Sequence, residues 1–169
     1  MSDSDPLAAE VLLVAEVSTE EEQAIVEAFR ALGVAPRTRM VPTRRGLEQL
    51  QWLVLATLPL HALLSGLGSA AAQDVAQGLK HLVSRALSVL KAARKTAITP
   101  QVLVLQDAAT QLQVVLEVDL PAEVYQALVA LDFSAFRQGP VHYDHQRGTW
   151  RSELDEWQQA QTKDSAEKG

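Results

Sequence analysis

From Gln49 to Gln73 the chain carries no aspartate, glutamate, lysine or arginine, a run of 25 residues. In a chain of 169 residues, a stretch like this has to go inside the fold, against a partner, or onto a lipid surface. Its sequence divides at Pro59. Trp52 to Leu58 is apolar except for Thr57 and reads as a central strand. Proline suits the first turn of a helix, where its missing N–H costs nothing. From there Leu60, Leu64, Leu67, Ala71, Val75, Leu79, Leu82, Ala86 and Leu90 recur at intervals of three and four. The spacing predicts one helix from Leu60 to Lys91, about 45 Å long at 1.5 Å per residue. Gly66, Gly68 and Gly78 lie along it, as sites of a kink or of close packing.

The flanks read as an α+β domain. Val11 to Val17 is a short apolar run, hence a buried strand. Ser18-Thr19-Glu20-Glu21 then matches a capping box, with Ile25, Phe29 and Leu32 on the inner face of the helix and Gly33 at its end. Pro36 to Thr43 predicts a strand with arginines turned to solvent, as at a sheet edge. Val102–Leu105 and Leu112–Val118 predict an antiparallel hairpin across Asp107 to Thr110. Asp119 is placed to cap a second helix carrying Val124, Leu128 and Leu131. A last hairpin turns through His145 to Gly148, anchored by Tyr143 and Trp150. The expected fold is a mixed or antiparallel sheet with two shorter helices and one long helix packed on it, ending in a β-hairpin. Residues 1–10 are expected to be a flexible N-terminus, 11–154 one domain, and 155–169 a polar, disordered tail.

Charge is segregated along the chain. Residues 1–36 hold eight acids and one base, residues 37–95 nine bases and two acids, and residues 96–169 eleven acids and five bases. The basic middle holds Arg37, Arg39, Arg44 and Arg45 on a strand and turn, then Lys91, Arg94 and Lys95 at the end of the long helix. It can be neutralised by its own flanks or by an anionic partner. A sequence pI near 5.2 disfavours nucleic acid. There is no cysteine, which removes disulfides, thiolate metal sites and a thiol nucleophile. With an acidic start that lacks the positive charge of a signal peptide, this predicts a cytoplasmic protein.

Motifs for chemistry are sparse. Gly66-Leu67-Gly68-Ser69-Ala70-Ala71 fits the spacing of a dinucleotide fingerprint, but no strand directly precedes it and no acid follows at about twenty residues. His142 and His145 flank Asp144, while His61 and His81 sit far apart on the expected helix, so no metal or cofactor is expected. No serine lies in a nucleophile elbow. The leading expectation is a non-enzymatic interaction or regulatory module. It associates with a protein partner, itself included, through Leu67, Val75, Leu79, Leu82 and Leu90 of the helix 60–91. One alternative is a membrane-surface effector using the uncharged segment 49–73 and its basic flanks. Another is a small dinucleotide-binding enzyme at Gly66–Ala71.

Overall fold

The computed structural model describes residues 5–14, 17–41, 54–64, 72–90 and 102–168. Its first unit is built around the capping box. Ser18 Oγ accepts from the Glu21 amide at 3.2 Å, and the Glu21 carboxylate accepts from the Ser18 amide at 2.8 Å. This starts α1 (Thr19–Arg30) directly after strand β1 (Leu7–Val14), and Gly33, at φ +77°, makes the reversal into β2 (Val34–Val41). β1 and β2 pair in parallel, so the three elements form a βαβ unit.

The second half of the sheet is β3 (Val54–Leu58), β4 (Val102–Asp107) and β5 (Gln113–Glu117), in the spatial order β2-β1-β3-β4-β5. β3 runs antiparallel to β1 and parallel to β4, and β4 and β5 form the expected antiparallel hairpin. Asp107 fastens this hairpin to the next element. Its carboxylate accepts from the Thr110 amide (2.8 Å), the Thr110 hydroxyl (2.9 Å) and the Leu60 amide (3.1 Å). Partial burial pushes its pKa up, but these bonds outweigh that and hold it below the usual 3.8.

The expected single helix from Leu60 to Lys91 is divided. The described part of that span is α2 (Leu60–Leu64) and α3 (Ala72–Val89), and the residues between them, 65–71, lie outside the described residues. α2 and α3 pack against each other. In one straight helix, residues eight apart stand about 12 Å apart and cannot do so. A three-and-four spacing marks the inner face of each helix equally well, so it does not distinguish one helix from two. α3 lies between α1 and α4 (Ala122–Val129). Gly78 faces the turn after α1, where a Cβ would press on Leu32 Cδ2.

Asp119 does not cap α4. The capping position is taken by Pro121, which makes no side-chain cap bond, and Asp119 instead adopts φ +67° in the preceding turn. Aspartate tolerates that left-handed region better than most residues, so it serves the turn. After a 3₁₀ turn (Phe133–Ala135), strands β6 (His142–Asp144) and β7 (Thr149–Arg151) form the last hairpin. Trp150 is buried there and donates its indole N–H to Val124 O at 3.0 Å, tying the hairpin to α4. Tyr143 meets it edge-on with ring centroids 5.6 Å apart.

The chain then continues as helix α5 (Glu153–Glu167), where the sequence reading expected an unstructured tail. Ser152 caps it by accepting from the Asp155 amide at 3.3 Å, and Glu153, Asp155 and Glu156 sit at the positive end of its dipole. The polar composition hid these start signals. The architecture is thus α+β: a five-stranded mixed sheet, a two-stranded antiparallel hairpin and five α-helices among the described residues.

Candidate interaction surface

Strand residues alternate between two faces, and the helices use only one of them. Ala9, Val11 and Leu13 of β1, Val34 of β2, Val54, Ala56 and Leu58 of β3, Leu103 and Leu105 of β4, and Val114 and Leu116 of β5 all belong to one buried cluster. The inner faces of α1, α2, α3 and α4 join that same cluster. All four helices therefore clad one side of the sheet.

The other side is set by the strand registers. Leu12 stands opposite Leu55, Leu55 opposite Val104, and Val104 opposite Val115, with Arg39 beside Leu12 at the β2 end. This is an apolar row across four strands with an arginine at its margin. Leu12, Leu55 and Val115 are half-buried. Val104, 3% exposed, is the one buried apolar side chain outside the core cluster among the described residues. The adjacent row is polar: Arg37, Glu10, Thr57, Gln106 and Gln113. Arg39 crosses between the rows to bond Glu10 at 3.0 Å, and Gln113 donates to Gln106 at 2.9 Å. Over the β1–β2 pair lies a groove of about 680 Å³ bordered by Ala8, Glu10, Arg37 and Arg39.

β2 is also an edge strand, as its arginines predicted. The Leu7 amide donates to Gly33 O at 3.0 Å, which sets the phase of the parallel ladder. Ala35, Arg37, Arg39 and Val41 then point their backbone groups at β1, and Pro36, Thr38 and Met40 point theirs outward. Pro36 places its missing donor on the outer side, where a proline is tolerated. The Thr38 side chain turns under α1 and donates its hydroxyl to Glu22.

The residues singled out from the sequence fare differently. Val75, Leu79, Leu82 and Leu90 are buried within this one chain, with Leu79 and Leu82 wholly inaccessible. They are core residues and present no face to a partner. Leu67 lies outside the described residues, as do Arg44, Arg45, Lys91, Arg94, Lys95 and the glycine motif Gly66–Ala71. Of the basic set, Arg37 and Arg39 are described, and both are exposed on the sheet face that no described helix covers. The described parts of the uncharged segment, residues 54–64 and 72–73, supply β3, α2 and the first residues of α3. No helix among the described residues is long and apolar enough to cross a membrane. His142 and His145 do not converge: His142 lies 3.7 Å from Glu153 and His145 lies 3.0 Å from Glu117.

A smaller hollow of about 200 Å³ opens between α3 and the β5–α4 turn, with Tyr125 at its base. Burial, with Glu117 adding to it, raises the Tyr125 phenol pKa well above its ordinary value. At 1% exposure its hydroxyl is not presented to a ligand.

The apolar row was missed because attention went to the helix. The signal was present, since β1, β3 and β4 contain continuous apolar runs and do not alternate strictly. Strands apolar on both sides belong to sheets covered on both faces. Comparison of the chain with protein-family models, with curated proteins and with solved structures finds no match.

Proposed function

We propose that the protein is a non-enzymatic interaction module that associates with a second copy of itself through the sheet face that none of the described helices covers. The observation that carries this reading is the mismatch between strands and helices. Leu12, Leu55, Val104 and Val115 form an apolar row suited to a covered sheet, and α1 to α4 all lie on the other side. Arg39 at the end of that row and Arg37 in the polar row beside it supply a polar rim that would set orientation. The proposal keeps the self-association expected from the sequence and moves it from the buried stripe of α3 to the sheet.

Sedimentation equilibrium tests it. The wild-type chain is expected to associate at tens of micromolar. Leu55→Glu, which places a charge in the middle of the row, is expected to be monomeric with an unchanged far-UV circular dichroism spectrum. A monomeric wild-type chain at that concentration refutes the proposal.

A further inference from the structure

The two edges of the five-stranded sheet are finished differently. At the β5 edge, Val141 donates to Gln113 O and accepts from the Val115 amide, both at 2.8 Å, so the chain closes that edge itself. At the β2 edge, Thr38 and Met40 each turn an N–H and a C=O outward, and Pro36 a C=O alone. Among the described residues, none of these groups is hydrogen-bonded. Met40 is 39% exposed, and Arg37 and Arg39 are exposed beside it.

An open edge is a template for a further strand, and its side chains decide which strand it accepts. Arg37 and Arg39 stand two residues apart and so share one face of β2. Arg37 has no ion-pair partner among the described residues, and Arg39 holds only Glu10, which is itself exposed. Thr38 and Met40 would make the hydrogen bonds to an antiparallel partner. Arg37 and Arg39 then fall at the non-hydrogen-bonded positions, where facing side chains come closest. A second copy of β2 is disfavoured there, since antiparallel pairing about Arg37, Thr38 or Arg39 sets arginine against arginine. The segment that follows β2 does not fit either, because residues 42–53 carry two arginines and one glutamate. Two carboxylates spaced two residues apart in an extended segment do fit, one opposite each guanidinium.

We infer that the outer edge of β2 takes up an extended acidic segment of a partner protein, paired antiparallel. Its acids alternate to face Arg37 and Arg39, and the residue opposite Met40 is apolar. Pro36 limits the pairing by withholding a donor, so the charge pairs supply the selectivity. The contact uses the sheet edge and is independent of the self-association proposed above.

Fluorescence anisotropy with labelled peptides tests this on the full chain, held dilute enough that self-association does not contribute. The probe is a short peptide alternating glutamate with valine and threonine. One control groups the same glutamates together, and another carries N-methyl groups on the valine and threonine amides, which would face the edge. Wild type is expected to bind the alternating peptide at least about tenfold more tightly than either control. Arg37→Glu with Arg39→Glu is expected to lose about tenfold in that binding and to prefer a peptide that alternates lysine. Both positions are exposed, and circular dichroism verifies the fold of the variant. The peptide controls on wild type decide the matter even where the variant fails to fold. The inference is overturned if wild type does not bind the alternating peptide, or binds the N-methylated one equally. Equal binding of the grouped peptide overturns it too, since charge alone is then being read. Sedimentation equilibrium decides the self-association separately, so the two readings stand or fall apart.

Discussion

Replacing Leu82 with alanine separates the core role of α3 from an interface role. Leu82 is wholly inaccessible and belongs to the cluster that includes Phe29 of α1 and Tyr125 of α4. Truncating such a leucine removes the transfer free energy of the lost atoms and leaves a cavity, together about 3 kcal/mol within a usual range of 2–5. With a urea m-value of about 2 kcal/mol/M, the midpoint should fall by about 1.5 M. The companion change is Leu55→Ala on the face that no described helix covers. That side chain is only half-buried in the single chain, so its loss should cost about 1 kcal/mol and move the midpoint by about 0.5 M. Urea unfolding followed by far-UV circular dichroism reads both, at a concentration low enough that association does not contribute to stability. The expected result is a large shift for Leu82→Ala and a small one for Leu55→Ala, with association lost only in the second. A negligible shift for Leu82→Ala accompanied by loss of association would refute the assignment of α3 to the core.

Other perturbations address particular joints of the fold. Ser18→Ala removes the acceptor for the Glu21 amide and should cost about 1 kcal/mol of stability by the same urea assay. Gly78→Ala gains about 1 kcal/mol of helix propensity, set against a shift of Leu32, whose Cδ2 its Cβ would meet; a double-mutant cycle with Leu32→Ala measures that cost. Asp144 is held down to about 2 from the usual 3.8, first by its bond from Arg151 and then by the Arg147 amide. A depressed carboxyl stabilises the folded state above its unfolded pKa and loses that contribution as pH falls through the folded one. The root of α5 should therefore loosen between about pH 4 and pH 2, and Asp144→Asn should remove that part of the pH dependence in a helicity titration.

Much of the local structure was legible because its causes are local. The Ser18 capping box, the inner face at Ile25 and Phe29, the Asp107–Thr110 hairpin and the Tyr143–Trp150 pair each depend on residues a few positions apart or across one turn. The order β2-β1-β3-β4-β5 was not legible, since it is decided by pairing between distant segments. The division of the span 60–91 was hidden because α2 and α3 share the same three-and-four spacing. The core role of Leu79 and Leu82 was confused with an interface role for a related reason: an apolar stripe records that a face is covered and not by what. Leu12, Leu55 and Val104 were visible as apolar strand residues, but which side of each strand the helices would take is a tertiary choice. Helix α5 was misread from its polarity, although Ser152 and the acids of its first turn spell a helix start.

Methyl NMR spectra recorded over a dilution series, from hundreds of micromolar to a few, would locate the contact directly. The account predicts that the methyl signals of Leu12, Leu55 and Val115 move with concentration, while those of Leu79 and Leu82 stay fixed. Movement of Leu79 and Leu82, or a spectrum indifferent to concentration, would contradict it.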